Sequence, residues 1–330
     1  MTWLVWRQYR AQGAIAVALL AALAAVMLAG GLQIASHWHS MLAACSGHRA
    51  CLQQQPPLAS SEVVDALLLL GLIVPALLGA LWGAPLVAHE LESRTSDFAW
   101  AQSVTRTRWL TVKVGWLLIA AAACGGLIAA LVTWWSGPNN ALQANAFRPG
   151  QFDIQGVVPI GYAVFAMALG IAAGTVTRRT LPAIAVALGG FIALRLVIDD
   201  FVRPHYVAAV TTYYNVTGSF TPSGSAWLFS QGAVSKTGQV VLAGWGDLFP
   251  ALPASCRKLI PGSGGPTPKS GSSMSAVFSC MRAHGWRGFA TYQPASRYWP
   301  FQGIETGIYV LLAAALIAVT FVIVRRRDAQ

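Results

Sequence analysis

Residues 89–113 read HELESRTSDFAWAQSVTRTRWLTVK, a polar stretch with seven charged side chains. On either side the charge vanishes: neither residues 66–88 nor residues 114–147 contain an Asp, Glu, Lys or Arg. A helix rises about 1.5 Å per residue, so each flank is long enough to cross the roughly 30 Å of hydrocarbon in a bilayer. The contrast predicts two membrane-crossing helices joined by a charged loop.

The same pattern extends along the chain. Apolar spans fall at 14–34, 65–87, 114–135, 157–177, 181–200 and 304–324. Across 330 residues, 55% are hydrophobic and only 10% charged, with a mean hydropathy of +0.56. A soluble domain carries about a quarter charged residues. The expected fold class is therefore an all-α polytopic membrane protein with six transmembrane helices. Residues 1–12, MTWLVWRQYRAQ, place Trp3, Trp6, Arg7 and Arg10 where an interfacial helix would set rings and cations at headgroup depth. A signal peptide is the competing reading, but the apolar run is long for one and no clean A-x-A site follows.

Net charge is +11. In a membrane protein this reflects basic cytoplasmic loops, and no nucleic-acid partner is expected. With the N-terminus cytoplasmic, the inner segments hold Arg7, Arg10, Arg94, Arg106, Arg108, Lys113, Arg178, Arg179 and Arg325 to Arg327, against Arg49 and Arg148 on short outer loops. Both termini are then cytoplasmic, and a large extracytoplasmic insertion separates helices 5 and 6. The expected organisation is an interfacial helix at 1–13, spans at 14–200 with a cytoplasmic loop at 88–112, a cap at 201–303, and a last span with basic tail at 304–330. PGSGGPTPKSGSS (261–273) reads as a flexible loop, and Gly238–Leu242 as a strand. Cys45 and Cys51 share the first outer loop, and Cys256 and Cys280 share the cap. Each pair can close a disulfide in an oxidising compartment, free thiols being the alternative. Cys124 lies within span three.

Span two repeats Gly71, Pro75, Gly79 and Gly83, and span four carries Gly170 and Gly174. Four-residue spacing gathers them on one helix face, where small residues let backbones approach in the absence of a hydrophobic drive between helices. Static packing and an interface that slides during transport both fit. Pro75 and Pro85 are expected to kink or end the helix. Arg195 and Asp199, i and i+4 near the outer end of span five, suit a self-neutralising pair, although intramembrane charge is also a functional signal. Glu305 is expected in the headgroup layer.

Several chemistries find no motif. There is no G-x-x-x-x-G-K-[ST] phosphate loop, HELES departs from H-E-x-x-H at Ser93, and no G-x-S-x-G occurs. No catalytic, cofactor or metal site is expected in this chain.

In the opening stretch, Ser93-Arg94-Thr95 suits a cap for a short helix containing Asp97, Phe98, Trp100 and Ala101. Such a helix docks into a partner's groove or simply anchors a loop at the interface. The stretch resembles the first cytoplasmic loop of ABC-2-type ABC exporter permeases. These carry an acidic start, an E-x-E-x-x-T element, a short helix, then S-x-x-R leading to a Lys at the next span. Glu90, Glu92, Thr95, Ser103, Arg106 and Lys113 match, and the string from Trp82 to Leu110, with the opening W-R-Q-Y-R, looks like actinobacterial members. The cap departs from the short re-entrant hairpin of many relatives.

The resemblance implies a permease subunit of an ATP-driven exporter in the bacterial cytoplasmic membrane. It would pair with a second permease copy or paralogue and with two copies of a separate ABC ATPase, which binds ATP and Mg. Glu90, Glu92, Thr95, Phe98, Trp100, Ser103 and Arg106 would couple it to that ATPase, with Glu90 and Glu92 touching the ATPase or bracing the N-terminal helix through Arg7 or Arg10. The cargo would be amphipathic: a drug, antibiotic, peptide or lipid. The alternative is a membrane sensor or accessory subunit that binds an extracellular ligand through residues 201–303.

Overall fold

The computed structural model describes residues 2–46, 51, 61–92, 106–143, 146–147, 150–217, 226–242, 250–259 and 273–326. Two compact units emerge. The first comprises Met1–Gln143, Arg148–Tyr206 and Tyr298–Gln330; the second comprises Ala144–Phe147 and Val207–Arg297.

The first unit begins with α1 (Thr2–Ala44). The interfacial segment and first span expected as separate pieces are one continuous helix; at their junction only Gly13 is a weak helix former, and no proline intervenes. Next come α2 (Ser61–Leu78), a π turn (Gly79–Gly83) and α3 (Ala84–Glu92). After α4 (Arg106–Gln143) and the short α5 (Gln151–Ile154) follow α6 (Val158–Thr177) and α7 (Thr180–Val197). A π turn (Ile198–Val202) and a 3-10 turn (Arg203–His205) prolong α7. The second unit contains β1 (Val210–Asn215), β2 (Trp227–Val234), β3 (Val240–Leu242), α8 (Ala254–Arg257), α9 (Ser273–Ala283) and β4 (Arg287–Gln293). The chain returns to the first unit as α10 (Tyr298–Arg326).

Among the described residues, five helices are long and apolar enough to cross a membrane: Leu20–Ala44, Leu110–Pro138, Val158–Thr177, Thr180–His205 and Ala295–Arg326. A shorter apolar helix, Ile73–Leu86, is the sixth, so each apolar span of the sequence has its helix. Pro75 does not end α2, and Pro85 falls just after the π turn. Pro85 brings no N–H, and its ring crowds the carbonyl four residues back. Just before Pro85, Ala84 N–H donates to Gly79 O across the wider π turn, so the regular i to i−4 ladder is already interrupted where the proline enters.

Helix α6 is the hub. Buried residues make up 72% of its apolar window, against 11% to 28% in the other four long spans. Its small residues allow this enclosure. Gly79 and Gly83 meet the α6 backbone at Ala166 O and Met167 O, and Gly170 and Gly174 meet Gly79 O and Ala84 O in return. On another side, Gly125 of α4 abuts Pro159 O and Ala163, and Gly161 faces Thr306 of α10. Leu86, Leu110, Met167, Ile171 and Val324 fill the core between them. Met27 and Ile34 of α1 pack with Val132 and Trp135 of α4.

The second unit is where the all-helical description stops. The four strands among its described residues form an antiparallel sheet in the order β1-β4-β2-β3, with an irregularity between Leu228 and Ser230. Ala233, Val241, Leu252, Val277, Met281 and Trp286 form its core. A disulfide between Cys256 and Cys280, Cα atoms 5.5 Å apart, ties α8 to α9. Cys45 and Cys51 are bridged as well, and Cys124 is free.

Candidate functional site

Helix α7 places Arg195, Asp199 and Arg203 at i, i+4 and i+8, and these residues meet two further acids inside the first unit. Asp153 comes from α5 and Glu305 from α10. Arg203 Nη2 lies 2.5 Å from Asp153 Oδ1, 2.6 Å from Asp199 Oδ1 and 2.6 Å from Glu305 Oε1, while its Nε donates to Glu305 Oε2 at 2.7 Å. Arg195 Nη2 pairs with Asp153 Oδ2 at 3.0 Å, and its Nε lies 3.7 Å from Asp199. Tyr162 Oη sits 2.5 Å from Glu305 Oε1 and 3.1 Å from Asp153 Oδ1, so its single proton serves one carboxylate at a time. The guanidiniums are also stacked: Arg195 lies 4.5 Å from the Tyr162 ring centroid and Arg203 lies 4.6 Å from that of Phe152.

Burial makes the cluster costly to leave incomplete. Glu305 is fully enclosed, and Asp153, Arg195 and Arg203 are 3%, 4% and 3% exposed. The Arg195–Asp199 pair expected from sequence is thus the edge of a five-member network, and Glu305 is its most buried member. Three carboxylates against two guanidiniums leave one net negative charge when all are ionised. The three carboxylates lie within 4.8 Å of one another, and the two arginines between them supply the positive charge that a cation would bring. Burial alone would raise the Asp153 pKa, but the guanidiniums of Arg203 and Arg195 hold it below the usual carboxylate range. Burial, then the nearby Glu305 charge, push the Tyr206 phenol up; its hydroxyl donates to Glu305 Oε2 at 3.2 Å.

Gln302, also fully buried, finishes this end of the bundle. Its Oε1 accepts from Val157 N–H and Val158 N–H at 2.9 and 3.0 Å, satisfying orphan donors at the start of α6. Its Nε2 donates to Phe152 O at 2.9 Å. Gly156 makes room for this amide: φ is 67° there, and a Cβ would lie 2.6 Å from Gln302 Oε1.

The loop singled out by sequence is different. Thr95, Phe98, Trp100 and Ser103 lie outside the described residues. Glu90 sits in α3 and Arg106 opens α4, with their side chains outside the described set. Glu92 is placed: its Oε2 accepts from Thr180 Oγ1 at 2.9 Å and from Thr180 N–H at 3.3 Å. The carboxylate thereby sits at the positive end of α7 and links the end of α3 to span five. Lys113 is buried within α4. The packing glycines come together as described, except that Gly71 faces Ile154 of α5.

Sequence reasoning missed Asp153, Arg203, Tyr162 and Gln302. The signal for Arg203 was its place four residues after Asp199. Ending span five at residue 200 cut that stripe short, because the helical path continues through the π and 3-10 turns. Asp153 had only the QFDIQG setting before span four, which gives no partner.

A family model described as ABC-2 membrane transporter related matches residues 17–203, more than half of the chain. No curated protein and no solved structure matches significantly.

Proposed function

Because the chain belongs to the ABC-2 membrane transporter-related family, we propose that it is the transmembrane permease subunit of an ATP-driven exporter. The carrying observation is the extent of the family match, which runs through the first five spans and the charged loop between spans two and three. In this reading two permease copies, or this chain and a paralogue, pair in a bacterial cytoplasmic membrane with both termini inside. A separate ABC ATPase, in two copies, binds ATP and Mg and hydrolyses the nucleotide. This chain carries no ATPase site of its own.

The loop 93–105 would be the joint. It is strung between α3, whose Glu92 is tied to the start of α7, and α4. Movement of an ATPase docked there would reach α6 through the backbone contacts of Gly79, Gly83, Gly170 and Gly174. Export follows if the inward- and outward-facing arrangements differ in affinity for cargo. The spans are poor in charge and rich in Trp, Phe, Leu and Ala, which favours an amphipathic cargo over a polar polymer.

The test is purification of the tagged full chain from its native host in mild detergent, with mass spectrometry and an ATPase assay. A stoichiometric phosphate-loop ATPase, recovered less with Glu90→Lys or Trp100→Ala, is the expected result. Recovery of the chain alone, or only with extracytoplasmic partners, would overturn it and favour a sensor or accessory subunit that uses the folded second unit.

A further inference from the structure

The second unit carries a charge imbalance that the family relationship does not address. Residues 207–297 contain seven Lys or Arg, at 236, 257, 258, 269, 282, 287 and 297, and one acid, Asp247. Three of those cations line a single open cleft of about 720 Å³, within the size range of ligand sites, roughly 300–1,000 Å³. They are Lys236, Arg282 and Arg287, and they share it with the rings of Tyr213, Tyr214 and Trp286. No carboxylate lines the cleft, and none of the three cations forms an ion pair among the described residues.

The cleft is built on fixed backbone. Helix α9 ends in a left-handed cap: Gly285 has φ 78°, its N–H donates to Arg282 O at 2.9 Å, and Trp286 N–H donates to Met281 O at 3.0 Å. The Cys256–Cys280 disulfide anchors the same turn of α9. His284 is already engaged, its Nδ1 lying 2.9 Å from Cys280 O and its Nε2 3.3 Å from Ser255 Oγ. Arg287 starts β4 between Asn215 of β1 and Val234 of β2. Lys236, in the β2–β3 turn, packs against Gly285.

Three cations with no acidic partner among the described residues repel one another, so convergence on one concave wall is unfavourable until an anion enters. Arginine forks match phosphate oxygens, and lysine adds a point charge. We infer that this cleft binds a phosphate-bearing ligand, with its oxyanion on Lys236, Arg282 and Arg287 and its less polar part against the tyrosines. The inference does not depend on the export reading.

The test uses the full chain in phosphatidylcholine nanodiscs, titrated calorimetrically with inorganic pyrophosphate at fixed ionic strength. Saturable binding is expected, weakened by about tenfold or more in Arg282→Gln/Arg287→Gln. Both side chains are exposed, so the variant should keep its melting temperature. Repeating the titration with phosphatidic acid in the disc, against a disc of equal charge made with fatty acid, distinguishes two sources of the same chemistry. Loss of pyrophosphate binding only with phosphatidic acid assigns the cleft to a lipid phosphate; unchanged binding assigns it to a soluble phosphate compound. Equal affinity in the variant, or no binding in phosphatidylcholine discs, overturns the site.

Discussion

Glu305 shows how one side chain can hold a bundle end together. It receives hydrogen bonds from Arg203, Tyr162 and Tyr206 and is fully enclosed. Arg203 keeps Asp153 and Asp199 if the Glu305 charge is lost, so what Glu305→Gln forfeits is the charge-assisted strength of its hydrogen bonds. It is expected to lower unfolding stability by about 1.5–3 kcal/mol in a detergent titration. Replacing Glu305 and Arg203 together by Leu should cost less than the two single losses summed; a strictly additive result would exclude direct coupling. Asp153 gives the pH dependence. Its pKa is depressed in the folded chain, so its stabilisation is complete above the unfolded value of about 3.9 and is lost as pH falls through the lower folded value. Thermal melts of Asp153→Asn should lack that part of the acid-side decline.

Among elements, the contact between α6 and the π-turn segment is the least forgiving. A Cβ on Gly170 would run into Gly79 O, a backbone atom that no rotamer change can move. Gly170→Ala is expected to cost about 1–3 kcal/mol as an overpacked site. Gly189 on α7 has nothing within 4 Å of its Cβ position, and Gly189→Ala should be neutral or slightly stabilising. Equal effects in a matched pair of melts would refute the close-approach account. The four-residue spacing of Gly79, Gly83, Gly170 and Gly174 was readable because helical periodicity turns spacing directly into a shared face. The ionic cluster was not readable in that way. Its members are drawn from α5, α6, α7 and α10, and only tertiary packing brings residues 153 and 305 together. The strands of the second unit were hard to read for a related reason: pairings such as Tyr214 with Gly288 join segments far apart in sequence, and the intervening chain is rich in Gly, Ser and Pro.

At the scale of the whole molecule, the two units have separate cores. The Cys256–Cys280 bridge closes a loop of sequence separation 24 entirely within the second unit. Chain-entropy reasoning assigns such a loop about 3 kcal/mol. Cys256→Ser/Cys280→Ser should shift the melting of the second unit while leaving that of the helical bundle in place, as read by hydrogen exchange on separate peptides. A single transition moving as one would show the units to be thermodynamically fused.

The placement of Gln302 and Glu305 has a further consequence for how the protein is made. The ribosome synthesises α6 and α7 well before α10, and all of residues 207–297 come between them. Until α10 emerges, the start of α6 lacks the amide that satisfies Val157 and Val158, and Arg203 lacks its bidentate carboxylate. The earlier helices are therefore synthesised before the groups that complete this end of the bundle. A nascent chain stalled before residue 298 would hold Asp153, Asp199, Arg195 and Arg203 without Glu305, and would leave Val157 and Val158 N–H without the Gln302 acceptor.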